Sequence, residues 1–327
     1  MSLNRFRKFV VMFFALIIGL SLYACKGIEF ENQKLATAKE LTKGESMIFI
    51  AEEKNKYENK FTSQIWNLKS GDGNTYFKDY IVYTVKRFVE KIMKLKLVAN
   101  DMNVIVSTED DEKLRKASED YLNELTFADL SFIDCTNEDI YNAFRDYHIS
   151  RLVIDNLSKN ASNEISVSEA KVISVQYIVF SDKEIATKTR EDLKARGANF
   201  SYFAKTRSED DNIDMVVKRG DENSVKFPEL FYLSTGQISD VLQYRNKYYL
   251  FKCTSDYLPY ETELRRLEIL RVMKNDEFTE NFAKFDEDYR VISNSNYWKD
   301  IDLYDGRECK INKFSEIYYS YFPESIK

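Results

Sequence analysis

One histidine, His148, serves the whole 327-residue chain, and it bounds the chemistry. A Ser-His-Asp relay would have to run through it, and a zinc site built from several imidazoles is excluded. His148 lies in a helical stretch on the flank of an apolar stripe, where a hydrogen-bonded structural histidine is expected. Cys25 stands apart from the other cysteines, Cys135, Cys253 and Cys309. Those three have no metal-ligand spacing; they allow one disulfide at most, and buried unpaired thiols are the simpler expectation. No glycine-rich loop is present to cradle a phosphate. The net charge is −6 with no basic stripe, so no nucleic-acid partner is expected. Metalloenzyme, kinase and ordinary hydrolase readings fall away, and no metal or other cofactor is expected.

The elements that would position a site follow from periodicity. Gly (9) and Pro (3) are scarce, which favours long helices over a turn-rich sandwich. Thr42-Lys43-Gly44-Glu45 has the form of a capping box and opens a helix to about Tyr57. Phe77, Ile81, Val85, Phe88, Ile92, Leu95 and Ala99 mark one apolar face of a long helix. Ser107 and Thr136 start further helices, to about Leu125 and Leu157. Near Asn160 the pattern changes. Ile173, Val175, Tyr177 and Val179 alternate as in a strand. Asp182 caps a helix to about Arg196, which Gly197 ends. A short helix spans Phe200 to Thr206, irregular polar sequence follows, and a helical turn covers Phe227 to Phe231. Ile238 to Tyr244 and Lys247 to Cys253 read as two strands joined at Arg245-Asn246. From Glu261 to Arg290 runs a long helix whose Phe278, Phe282, Phe285 and Tyr289 need covering; the expected cover is the first set of helices. One strand is expected near Ile301 to Leu303. The expected fold class is therefore α+β. A helical domain formed by residues 42–164 and 258–327 is interrupted by a small α/β domain, residues 165–257.

The N-terminus reads separately. Arg5, Arg7 and Lys8 precede an apolar run from Phe9 to Ala24 that is short for a membrane span and suits a signal-peptide core. Leu22-Tyr23-Ala24-Cys25 resembles the lipobox of bacterial lipoprotein signals. The resemblance implies that residues 1–24 are removed, that the Cys25 thiol carries a lipid, and that residues 25–41 are a tether. An uncleaved signal anchor is the alternative. In both cases the positive end stays in the cytoplasm and the remainder lies on the outer face of the membrane.

Within residues 172–257 an ordered series of short motifs resembles a parvulin-type peptidyl-prolyl isomerase domain. Val175-Gln176-Tyr177-Ile178-Val179 stands where that family has its first strand. Gly197-Ala198-Asn199-Phe200 with Phe203-Ala204, then Ser208-Glu209-Asp210, then Phe227 with Glu229, then Phe231 to Ser239, and finally Tyr248-Tyr249-Leu250-Phe251-Lys252 follow in the family's order. Lipid anchor, helical domain and interrupting parvulin domain together are similar to PrsA-type extracytoplasmic foldases. The departures are specific: Tyr177 and Tyr249 replace the two family histidines, the glycine-rich loop is shortened, and the cradle methionine falls near Asn223. The resemblance implies Asp210, Tyr177 and Tyr249 as catalytic residues and Phe227 and Phe231 as substrate-binding ones. The other reading of both tyrosines is as strand residues facing a core. Isomerisation needs no nucleophile, only an apolar cup for proline and a preference for the twisted amide. The expected function is thus a membrane-anchored chaperone or foldase for unfolded secreted polypeptides, with weak or lost isomerase activity. A fully active isomerase and a non-enzymatic surface scaffold remain the alternatives. Cys25→Ser is expected to release the protein from the membrane fraction or leave its signal uncleaved; normal processing and lipid labelling of the variant would overturn the lipobox reading.

Overall fold

The computed structural model describes residues 40–69, 73, 75–161, 165–286, 289, 291, 293 and 295–323. The signal sequence, Cys25 and nearly all of the tether lie outside the described residues. The chain divides into two compact units, residues 1–157 with 279–327, and residues 158–278.

The first unit is helical. Its N-terminal part comprises α1 (Lys43–Phe61), α2 (Phe77–Asp101), α3 (Thr108–Glu124), α4 (Phe127–Ile133) and α5 (Asn137–Leu157). The capping box at the start of α1 is formed: Glu45 N donates to Thr42 Oγ1 at 3.0 Å and Thr42 N to Glu45 Oε2 at 2.8 Å. Thr42 Oγ1 in turn donates to Asp139 at the start of α5, at 2.6 Å. The two helix starts cross so closely that a Cβ on Gly44 would fall 2.7 Å from the Asp139 carboxylate. Every residue of α1 from Gly44 to Asn55 is buried, because α2, α4 and α5 all pack on it. A helix covered on all sides buries polar residues along with apolar ones, and these need partners.

The partners come from the C-terminal segment. Phe314 N and Ser315 N donate to the Glu52 carboxylate at 3.1 and 3.3 Å. Asn55 Nδ2 donates to Ile311 O at 2.8 Å. Lys54 Nζ donates to Asn55 Oδ1 at 2.9 Å and to Cys309 O at 3.4 Å, and faces Glu58 at 3.0 Å. From Phe314 the chain runs into α11 (Phe314–Tyr321). The Phe314 ring is the hub of an aromatic core: it stacks on Phe144 with centroids 4.2 Å apart and meets Phe49, Tyr121 and Tyr147 edge-on. His148 is structural, as expected. It is buried, its Nδ1 lies 2.8 Å from the Tyr318 hydroxyl, and burial lowers its pKa.

The second unit is a four-stranded antiparallel sheet in the order β2-β1-β4-β3, with β1 at Val172–Phe180, β2 at Asp214–Lys218, β3 at Leu242–Tyr244 and β4 at Lys247–Ser255. Helices α7 (Lys183–Asp192) and α8 (Phe200–Arg207) bury Ile178, Phe180 and Leu250 on one face. On the other face a short helix α9 (Glu222–Lys226) leads into a tight turn of helix at Pro228–Tyr232, which covers Val175, Tyr177, Val217 and Phe251. A one-turn helix, α6 (Val167–Ala170), precedes β1.

Three expectations are corrected. The segment Ile213 to Gly220 is not wholly irregular: it contains β2, paired with β1 from Val172↔Lys218 to Gln176↔Asp214. No strand forms at Ile301 to Leu303; Tyr304 N turns back to Asp302 Oδ1 at 3.0 Å and Asp305 N to Asp302 O at 3.1 Å, so a side chain satisfies the backbone locally. The long helix, α10 (Pro259–Asp286), does not pack as one piece on the first helices. Its first part belongs to the small unit, where Val172 N donates to Thr262 Oγ1 at 3.1 Å, and the unit boundary falls at Phe278. Beyond it, Asn281 Nδ2 donates to Leu157 O at 2.7 Å.

Burial pushes the Glu52 carboxyl up to about 7, against the lowering effect of the Ser315 and Phe314 N–H groups. Its folded value lies above the unfolded one of about 4.3. The native state therefore binds this proton more tightly, and the stability it confers is complete below about pH 4.3 and lost as pH rises to about 7, on the order of 3 kcal/mol. Urea unfolding of the helical unit between pH 5 and pH 8 is expected to show this decline. Glu52→Gln is expected to flatten it.

Candidate functional site

The sheet face that carries the candidate residues is set by strand register. Tyr177 pairs with Phe251 and Val179 with Tyr249. Tyr177 and Tyr249 are therefore diagonal neighbours on one face, close enough for aromatic rings to interact. The hairpin adds to this face. Arg245, with φ of 54°, turns the chain so that Tyr244 pairs with Lys247 and Leu242 with Tyr249.

Asp210 reaches the face from the loop between α8 and β2. That loop is pinned to the end of β1: Glu209 N donates to Val179 O at 3.0 Å, Val179 N to Ser208 Oγ at 3.2 Å, and Tyr177 N to Ile213 O at 2.9 Å. Asp210 Oδ1 accepts from Asn212 N at 3.0 Å, an Asx turn that fixes the carboxylate. Its Oδ2 accepts the Tyr177 hydroxyl proton at 2.9 Å. Burial, and then this carboxylate, push the Tyr177 pKa up to about 12, so its proton is held throughout the neutral range. Next to Asp210, Glu209 binds Lys247 and both the N–H and hydroxyl of Ser181, which draw its pKa down to about 2.

Phe227 ends α9 and turns into the sheet. Its ring lies 4.8 Å from Tyr249, 4.9 Å from Phe251 and 5.8 Å from Tyr244. Only 4% of its surface stays accessible. Phe231 belongs to the same cluster but is covered separately, with the Arg219 guanidinium 4.3 Å above its ring. The structure thus brings Tyr177 to Asp210 and Phe227 to Tyr249. Phe231 sits in the core beneath Arg219, and Asn223 lies within α9. Among the described residues the Tyr249 hydroxyl has no hydrogen-bond partner. Two residues were missed from sequence, Tyr244 and Met215, which both pack on this face. The two-residue connection Arg245-Asn246 would have yielded Tyr244, because it fixes which residues of β3 share the face of Tyr249.

Tyr177→Phe removes the O–H bond and keeps the ring. Its expected cost is about 1 kcal/mol, since the Asp210 carboxylate is exposed and water can replace the donor. Tyr249→Phe is expected to cost less than about 0.5 kcal/mol. Urea midpoints of the two variants, read against wild type, check this order.

No family model matches the chain, and a search of curated proteins finds no match. Among solved structures, the peptidylprolyl isomerase PrsA from Bacillus cereus is similar at 18% identity, over 75% of this chain and 98% of its own, with a TM-score of 0.37. PrsA from Bacillus anthracis is similar at 21% identity, over 63% of this chain and 99% of its own, with a TM-score of 0.32. A structure described among two SurA-like chaperones of Campylobacter jejuni is similar at 14% identity, over 62% of this chain and 82% of its own, with a TM-score of 0.23. The chain is thus similar to PrsA foldases and SurA-like chaperones, and its own fold is α+β, a helical unit interrupted in sequence by a small unit with an antiparallel sheet.

Proposed function

We propose that the protein is an extracytoplasmic chaperone for unfolded secreted polypeptides, held at the membrane by a lipid on Cys25, whose parvulin-like unit has lost most or all isomerase catalysis. The observation that carries the last point is the covering of Phe227. An isomerase must hold the proline ring against an apolar wall while the amide twists, and only contacts stronger in the twisted state speed the step. A wall that is 4% accessible, with Tyr244 and Tyr249 against it, offers a proline almost no area. The polar floor is committed as well. The Tyr177 proton is spent on Asp210, and a phenol lacks the tautomer exchange of the imidazole it replaces.

Client binding has separate support in the helical unit, where Phe61, Leu68, Ile105 and Phe127 are all more than half exposed. Apolar side chains of this size in water are what a chain with unburied hydrophobic segments would engage. No helix among the described residues is long and apolar enough to cross a membrane. A second reading, a working isomerase, is favoured by one feature: Asp210 stands at the family's position and is hydrogen-bonded to Tyr177.

A protease-coupled prolyl-peptide assay run beside aggregation of an unfolded client decides between them. The expected result is prolyl isomerisation at or near background together with suppressed aggregation. Tyr177→His combined with Tyr249→His is expected to leave isomerisation low, because Tyr244 and Phe251 still pack against Phe227. Wild-type catalysis well above background that falls more than about tenfold in Phe227→Ala would establish the isomerase instead.

A further inference from the structure

The helical unit contains a cavity of about 610 Å³ between α1, α4 and the segment from Tyr297 to Cys309. It lies within the size range of sites that take small ligands or a few side chains. Its composition is divided by depth. The large apolar side chains of the lining, Met47, Phe132, Tyr297 and Ile301, are buried or half-buried. Phe132 is a fixed wall: its ring lies flat on Gly306, where a Cβ would come within 2.7 Å of it. The exposed outer lining is acidic, with Asp300, Asp305 and Glu308, and beside them stands the half-buried Asp302, whose Oδ1 accepts from Tyr304 N. None of these carboxylates makes an ion pair among the described residues. Lys43 is the single cation of the lining, and its ammonium faces Asp134 at 3.5 Å. Phe127, 88% exposed, stands at the mouth.

An apolar floor under a rim of exposed carboxylates that form no ion pair is complementary to one kind of occupant. We infer that the cavity binds an extended peptide segment in which a large apolar or aromatic side chain is flanked by lysine or arginine. The apolar side chain fills the floor beside Phe132 and Phe127. The flanking cations meet the rim, where long-range attraction speeds encounter and rejects acidic segments. This inference rests on the chaperone reading and narrows it, giving the helical unit a preference among clients that exposed hydrophobic surface alone would not confer.

The test is fluorescence anisotropy of labelled peptides of equal length with the full-length protein. One peptide carries Phe and Leu among lysines, a second the same apolar residues among glutamates, and a third lysines among serines. The first is expected to bind at least about tenfold more tightly than either other, with affinity falling as salt rises from 50 to 500 mM, because the Debye length shrinks from above 10 Å to well below it. Asp300→Lys with Asp305→Lys and Glu308→Lys is expected to invert the preference. Asp300→Asn with Asp305→Asn and Glu308→Gln removes the three exposed charges, leaves Asp302, changes the shape little and is expected to weaken the preference severalfold. Phe127→Ser, at a position with almost no packing to lose, is expected to weaken the first peptide severalfold. Equal binding of the basic and acidic peptides, or an unchanged preference in the neutral triple variant, would overturn the inference. So would self-association that the triple variants abolish, since it would make a second copy the occupant. Aggregation of an unfolded client, measured on the same samples, separates the two readings: suppression without peptide preference sinks the cavity alone, and no suppression sinks the chaperone reading.

Discussion

A carboxylate, an ammonium and an amide, on Glu52, Lys54 and Asn55, sit in the dry centre of the helical unit. Left unpaired, each would cost several kcal/mol. Glu52 and Asn55 are satisfied by backbone groups between Ile311 and Ser315, and Lys54, paired with Glu58 on α1, adds a longer bond to Cys309 O. Asp129 on α4 repeats the device, accepting from Lys310 N at 2.7 Å and Ile311 N at 3.0 Å. The same segment delivers Phe314 to the middle of the aromatic core. The N-terminal helices therefore do not close a core by themselves. The chain has to leave this body and return to it, and residues 158–278 are what it builds in between.

In the small unit the sheet face is built as a core rather than as a cleft. Aromatic rings from three strands and from the turn after α9 fill the space over Tyr177 and Tyr249, with Tyr249 and Phe251 stacked at an interplanar angle of 10°. Such packing stabilises a small sheet whose four strands would otherwise expose one face. It does so at the expense of the open surface a proline would need. The Asp210 loop is fixed just as firmly, by its pairing with β1 and by the Glu209 contacts to Ser181 and Lys247. Rigid floor and filled cup together are what the proposal of lost isomerase catalysis rests on.

Much of this was legible in the sequence where the signal was local. The capping box at Thr42, the apolar stripe from Phe77 to Ala99 and the alternation around Tyr177 each depend on neighbours a few residues away, and each formed. The Tyr177–Asp210 pairing was legible only through resemblance, because the residues are 33 apart and no periodicity links them. What was lost depended on distant partners. β2 is five residues long with a charged residue at either end, and only its pairing with β1 makes it a strand. Ile301 to Leu303 looked like a strand but has no partner, and Asp302 turned the backbone instead. The burial of Phe227 follows from Tyr249 and Phe251 with Tyr244 beside them, and the place of Tyr244 on that face required the hairpin register. The division of α10 at Phe278 has no mark in the sequence, since the helix continues through it.

The closing contact between Glu52 and Phe314 spans 262 residues. A ribosome adds about 5–20 residues per second, so α1 is finished on the order of tens of seconds before its last partners exist. Until then the helix has carboxylates and apolar side chains with no enclosed place to put them, while the strands of the small unit all pair within residues 172–255. The strand pairs of the small unit therefore need only partners within residues 172–255, whereas the helical unit closes only once its C-terminal segment is present. Until that contact forms the helical body is an incomplete polypeptide with exposed apolar surface, the same kind of molecule that the proposed function has it meet.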